Sequence, residues 1–107
     1  MSAEGENTLT AIRTTARRVL PPGAQIILYG SRARGDAHPD SDWDLLILLD
    51  KQGSITMQEF SDYSYPFTEL GLNTAVEINP LIFSRSQWEG QPPSLFRHYV
   101  EEEGVLL

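Results

Sequence analysis

Two apolar segments lie close together in the chain, and the connection between them is short and rich in turn-forming residues. Residues 25–29 (QIILY) and 42–50 (DWDLLILLD) have the composition of buried β-strands, and Asp50 ends the second. Residues 31–41 contain Gly, Asp, Ser and Pro, which favour a loop or one short helical turn. Because parallel strands need a crossover of about a dozen residues or more, usually a helix, this connection does not suit a βαβ unit. We therefore predict a small mixed sheet rather than a doubly wound one.

The remaining segments add helices and a third strand to this pair. A first helix is predicted with Asn7 as its candidate cap and Pro21-Pro22-Gly23 as its end; its apolar positions are Leu9, Ile12, Ala16, Val19 and Leu20. A second helix follows the possible capping box Thr56-x-x-Glu59, with Pro66 as a kink and Gly71 as its stop. Residues 74–83 are predicted as the third strand, residues 88–93 as a loop, and Leu95 to Val100 as a last helix closed by Gly104. The expected fold is α+β, a small mixed sheet flanked by helices in the order α-β-α-β-α-β-α, in one domain spanning residues 1–107.

The composition excludes several classes of protein. Acidic residues outnumber basic ones 15 to 8, giving a formal net charge of −7, whereas proteins that bind nucleic-acid backbones carry a basic face. The absence of cysteine excludes disulfides, thiolate metal sites and thiol nucleophiles. The longest apolar run, residues 45–49, is too short to cross a membrane, and no basic-then-apolar signal segment begins the chain. A cytoplasmic protein is expected.

Two carboxylates stand at the start of the second strand. Asp42 and Asp44 are two residues apart, so on a strand they share a face at about 7 Å along the backbone. Carboxylates this close repel each other unless a positive charge lies between them, and Mg²⁺ prefers oxygen ligands of this kind. In the alternative interpretation, Asp42 caps the strand and Asp44 is a solvated edge residue. The apolar residues 45–49 make the strand central, which favours a ligand site at its mouth.

The segment after the first strand has the features of a phosphate-binding loop. Gly30 lets the backbone approach a ligand closely, Ser31 adds a hydroxyl donor, and amides that open a helical turn can bind an anion. Arg32 and Arg34 supply two of only eight basic groups and can neutralise phosphate charge. A plain turn with two surface arginines is the alternative for this loop alone. A phosphate loop followed by an acid pair on a buried strand is a layout for holding a metal–triphosphate.

These residues resemble a known signature. Gly30-Ser31, ten further residues and Asp42-x-Asp44 are similar to the signature of the DNA polymerase beta-like nucleotidyltransferase superfamily, and the chain looks most like its small minimal nucleotidyltransferases. The resemblance implies the nucleotidyltransferase fold, ATP or another nucleotide as donor, and two Mg²⁺ ions. It also requires a third carboxylate on the next strand, for which Glu77 is the candidate, as a metal ligand or as the base for the acceptor hydroxyl. Alternatively, Glu77 faces water on an edge strand.

The resemblance also suggests a function. A domain of this size is expected to have its acceptor presented by another chain, and the minimal family suggests an antitoxin that adenylylates an all-helical HEPN-type toxin. An antitoxin acting by binding alone is the alternative, and modification of a small molecule or an RNA end is a third possibility. Half a dozen aromatic residues are candidates for the partner surface: Tyr63, Tyr65, Phe67, Trp88, Phe96 and Tyr99.

Overall fold

A computed structural model describes residues 3–107 of the chain. Four strands and six helices follow one another in the order α1 (Ala3–Val19), β1 (Gln25–Tyr29), α2 (Ser31–Arg34), β2 (Trp43–Leu49), α3 (Met57–Glu59), α4 (Tyr65–Thr74), β3 (Ile78–Ser84), α5 (Arg85–Glu89), α6 (Leu95–Glu103) and β4 (Val105–Leu106). A π-helical turn, Phe60–Ser64, joins α3 to α4. No helix in this part of the chain has the length and hydrophobicity needed to cross a bilayer.

The four strands form one mixed sheet in the order β3-β2-β1-β4. Strand β1 pairs antiparallel with β2 on one side and with β4 on the other, whereas β2 and β3 are parallel. The prediction of a small mixed sheet with helices is therefore confirmed. Since β1 ends where β2 and β3 begin, one edge of the sheet gathers the residues that follow β1 and precede β2 and β3.

Helices cover both faces of the sheet, and alternation along β2 separates the two cores. One face of β2 carries Trp43, Leu45, Ile47 and Leu49, and it packs with Ile12 of α1 and Phe67 of α4. The other face carries Leu46 and Leu48, which pack with Trp88 of α5 and Val100 of α6. By the same alternation, Asp42 and Asp44 belong to the face that α5 and α6 cover.

Several helix boundaries differ from those predicted. Asn7 lies inside α1 and does not cap it. Pro66 lies in the first turn of α4, directly after the π turn, as expected of a residue that interrupts one helix and begins another. Gly71 does not end that helix: it is buried within α4, where an added Cβ would lie 2.7 Å from the carbonyl oxygen of Val76. The helix ends instead at Ala75, which adopts a left-handed conformation with φ of 57°.

The C-terminal region contains two elements that the sequence did not predict. Residues 85–89 form α5, which begins at a capping box made by Ser84 and Gln87. The last two of these residues were predicted to belong to a loop. Strand β4 forms by pairing with β1. The prediction of a partner surface is wrong for two of the aromatic residues. Phe67 is fully buried and Trp88 is 6% exposed, so both belong to the core. Tyr65, Phe96 and Tyr99 are exposed, and Tyr63 is partly buried against the core.

Candidate active site

The two predicted aspartates lie side by side at the beginning of β2. Asp42 directly precedes the strand and Asp44 is its second residue, and both are partly buried. Trp43 between them points into the opposite core, so the two carboxylates share the face towards α5 and α6. In the sheet register, Asp44 pairs with Tyr29 of β1 and with Asn79 of β3. Strands on both sides can therefore place side chains against this acid pair.

The turn after β1 brings its backbone against Asp44. Gly30 has φ of 79° and ψ of −160°, a conformation essentially restricted to glycine, and a Cβ built on it would lie 2.6 Å from Asp44 Oδ2. The carbonyl of Gly30 accepts hydrogen bonds from the amides of Ala33 and Arg34, at 3.0 and 3.1 Å, which starts the helical turn α2 at Ser31. The first amides of such a turn have no acceptor within it. The predicted phosphate loop thus adjoins the predicted metal ligands.

Gly30→Ala is expected to destabilise the protein by about 1 to 3 kcal/mol, because it combines a backbone penalty with displacement of the Asp44 carboxylate. It should also lower nucleotide binding, since the displaced groups are those of the site. Thermal unfolding and calorimetric titration with Mg–ATP measure the two effects. The matched control is Gly53→Ala: Gly53 has φ of 82°, but an added Cβ has no neighbour within 4 Å. Equal losses in the two variants would contradict the steric argument.

Asn79 is a site residue that the sequence analysis missed. Its amide Nδ2 donates to Asp42 Oδ2 at 3.2 Å and to Asp44 Oδ1 at 3.4 Å, bridging the two carboxylates. The amide hydrogens thereby offset part of the repulsion between the two negative charges. One signal in the sequence was available: Asn79 stands two residues after Glu77, so a strand places both on one face.

Glu77 lies beside the acid pair but outside the regular strand. It directly precedes β3, its side chain is exposed, and its carbonyl accepts a hydrogen bond of 2.8 Å from the amide of Trp43. Asp42 raises the pKa of Glu77 above its ordinary value, chiefly because a hydrogen bond between the carboxyl groups needs the proton and also because the charges repel. Glu77 is therefore in electrostatic contact with the pair, from the β3 side.

The donor set of the site suits a divalent cation in its chemistry. Asp42, Asp44, Glu77 and the amide oxygen of Asn79 are all oxygen ligands, which Mg²⁺ prefers, and the crowded carboxylates would be relieved by a positive charge. Within residues 3–107, however, no three His, Asp or Glu side chains are arranged closely enough to hold a metal ion. In this structure the amide of Asn79 bridges the aspartates. We conclude that the residue types fit a cation, whereas their present arrangement is held by hydrogen bonds.

The two arginines of the loop have different surroundings. Arg32 stacks its guanidinium on Trp43, 4.6 Å from the ring centroid, and donates to the carbonyl oxygens of Pro39 and Ser41 at 3.2 and 3.1 Å. It therefore holds the end of the loop that leads into Asp42. Arg34 is more exposed and pairs with Asp36 and Glu103, each at 3.2 Å. Of the two, Arg34 has the side chain that lies beside Gly30, along a cavity that both residues line.

A glycine-led turn packed against paired carboxylates at one end of a mixed sheet is an arrangement suited to binding a phosphorylated ligand and its cation. Comparison with known families agrees: the model of the nucleotidyltransferase domain family matches residues 9–88, and the chain belongs to this family. The match includes every candidate site residue, from Gly30 to Asn79. None of the curated proteins compared with the chain matches it.

Solved structures share the fold. A toxin–antitoxin complex crystallised with AMP-PNP has a TM-score of 0.63 at 16% identity, covering 91% of this chain and 69% of the other. A mutant of the toxin–antitoxin MntA–HpeT has a TM-score of 0.60 at 13% identity, with the same coverage of 91% and 69%. A protein described as a minimal nucleotidyltransferase is 25% identical, with a TM-score of 0.54 and coverage of 98% and 90%. The nucleotidyltransferase fold predicted from the motif is thus confirmed.

Proposed function

We propose that this chain transfers a nucleoside monophosphate, AMP from ATP, to a hydroxyl group on a partner protein. The observation that carries the proposal is the contact between the turn and the acids: Gly30 leaves no room for a Cβ beside the carboxylate of Asp44. A nucleotide whose phosphates bind the amides of this turn has its reacting phosphorus next to Asp42 and Asp44. Use of ATP also suits the cytoplasmic location expected from the sequence.

The reaction is an in-line displacement at the α-phosphorus. The acceptor oxygen forms a bond to this phosphorus, the bond to the oxygen that bridges the α- and β-phosphates breaks, and pyrophosphate leaves with the electron pair. Asp42, Asp44 and Glu77 would hold Mg²⁺, which would stabilise the charge on the attacking and leaving oxygens. The proposed number of Mg²⁺ ions is two. Glu77 takes the proton of the hydroxyl group, a role that its pKa, raised by Asp42, favours.

The remaining polar residues bind the donor or position the acids. The amides and hydroxyl of Ser31, together with Arg34, bind the leaving pyrophosphate. Arg32 acts indirectly, because its hydrogen bonds to Pro39 and Ser41 fix the loop that carries Asp42. Asn79 keeps the two aspartates together until the nucleotide and its cation replace the bridging hydrogen bonds.

The partner is proposed to be a helical HEPN-type toxin, with this chain as its antitoxin. Two of the similar solved structures are toxin–antitoxin complexes, and one of these was crystallised with a nucleotide analogue. Exposed apolar side chains on α3 and on the π-helical turn that follows it offer a contact surface; they are Met57 and Phe60. Adenylylation of a hydroxyl side chain on the toxin would silence it.

The test is transfer to the protein encoded beside this chain. The two proteins, copurified and incubated with ATP and Mg²⁺, should yield a partner whose mass rises in steps of about 329 Da, one adenylyl group by chemical formula, through the two-metal chemistry. The matched control nucleotide is α,β-methylene ATP, in which carbon replaces the oxygen of the bond to be broken. No mass gain is expected with it. A partner that binds tightly but never gains this mass would identify the chain as an antitoxin that acts by contact alone.

A further inference from the structure

A cavity of about 430 Å³ lies between the end of β1 and helix α6. Three aromatic residues, Tyr29, Phe96 and Tyr99, line this cavity, together with Gly30, Val100 and the charged pair Arg34 and Glu103. The volume falls within the range of roughly 300–1,000 Å³ that is usual for small-molecule sites.

The cavity adjoins the proposed site for the phosphates. It shares Gly30 with the turn that approaches Asp44, and its wall residue Tyr29 pairs with Asp44 in the sheet register. Arg34, proposed above to bind pyrophosphate, borders the same space. A molecule with its phosphates on the turn therefore has this cavity as its neighbouring surface.

The order of the strands distinguishes the donor side of the site from the acceptor side. Strand β2 carries Asp44 between β1, with Tyr29 and the cavity, and β3, with Asn79 and the nearby Glu77. In an in-line displacement the incoming hydroxyl and the leaving pyrophosphate lie on opposite sides of the phosphorus. Since the proposed base Glu77 lies on the β3 side, the acceptor approaches from there. The cavity lies on the opposite, β1 side, where the acceptor does not compete for it and the nucleoside of the donor has room to bind.

The ring arrangement suits a flat aromatic ligand. Phe96 is held edge-on between Tyr29 and Trp88, with ring centroids 5.6 and 6.0 Å away, and Trp88 is buried. Tyr99, one helical turn from Phe96, is 53% exposed; its ring centroid lies 5.7 Å from that of His98, and the exposed part of the ring is accessible to a ligand. We infer that this cavity holds the nucleoside of the donor nucleotide, with its base against the rings of Tyr99 and Phe96. This inference rests on the function proposed above.

The experiment compares two probes on the purified chain. Calorimetry with Mg²⁺ measures the dissociation constants of ATP and of inorganic triphosphate, which has the phosphates but no nucleoside. In Tyr99→Ala, the affinity for ATP should fall about tenfold, as is typical for loss of one base–aromatic stack, and the affinity for triphosphate should not change. The matched control is Tyr65→Ala, which removes a tyrosine of similar exposure, 49%, that is not among the residues lining the cavity. It should bind both probes as the wild type does.

The possible results separate the inference from the proposed function. If wild-type protein binds neither probe, the proposed function fails and the inference fails with it. If wild type binds ATP and Tyr99→Ala binds it equally well, the function stands but the nucleoside lies elsewhere. If, in addition, Tyr99→Ala no longer forms the complex with the helical partner, the aromatic wall is a protein-contact surface. Thermal unfolding of both variants shows whether each remains folded, and an exposed position makes that the expected result.

Discussion

Asp44→Asn should reduce nucleotide transfer by about a hundredfold or more, the usual loss when one stabiliser of transition-state charge is removed. The asparagine keeps the size of the side chain and an oxygen acceptor for Asn79, but removes one of the crowded negative charges. The metal-free variant should therefore unfold at a slightly higher temperature than the wild type. Transfer to the partner and thermal unfolding measure these two effects, and titration with Mg²⁺ tests whether Asp44 is a metal ligand. Activity and stability are expected to change in opposite directions.

The matched control for this prediction is Asp40→Asn. Asp40 is an exposed carboxylate of the loop that precedes β2 and undergoes the same chemical change, so the overall charge falls equally. This variant should transfer nucleotide at nearly the wild-type rate. Unchanged turnover and unchanged Mg–ATP affinity in Asp44→Asn would exclude the metal-ligand assignment. A large fall in unfolding temperature would mean that Asp44 is a structural residue, whose hydrogen bond with Asn79 outweighs the repulsion.

The parts of the fold that were predicted from the sequence are those with local causes. Strands β1 and β2 are marked by continuous apolar residues, and the short connection excludes a parallel crossover. Helix α3 begins at the capping box of Thr56 and Glu59, where the sequence predicts the start of its second helix. Helix α5 begins at an equivalent box, Ser84 with Gln87, which the sequence analysis did not recognise. Strand β4 depends on pairing with β1, which no local pattern contains.

The same division applies to the site. Gly30, Ser31, Asp42 and Asp44 are marked by their short separation in the chain, since one tight turn and one strand start bring them together. Asn79 depends on the register between β2 and β3, which the sequence of either strand alone does not specify. The separate roles of the arginines depend on the surrounding structure as well: the carbonyls that Arg32 binds belong to the loop residues Pro39 and Ser41.

Glu77→Gln should slow transfer by about a hundredfold to ten-thousandfold, the contribution typical of a positioned base, while ATP affinity changes far less. The reason lies in its position: Glu77 is exposed on the β3 side, where the acceptor is proposed to approach, whereas the nucleotide contacts lie on the β1 side. Single-turnover transfer to the partner and calorimetry with Mg–ATP separate the chemical step from binding. A loss of turnover with retained affinity would distinguish Glu77 from Asp44.

The control for this prediction is Glu69→Gln, which neutralises an exposed glutamate on α4 and should leave turnover unchanged. Two results would contradict the role of Glu77. Wild-type turnover in Glu77→Gln would make it a solvent-facing residue and require another base. An equal loss of affinity and turnover would instead make Glu77 chiefly a ligand of the nucleotide-bound cation, because a group that acts only on the acceptor proton does not contribute to binding the donor. The relative sizes of the two losses therefore decide which of the two proposed roles this carboxylate fulfils.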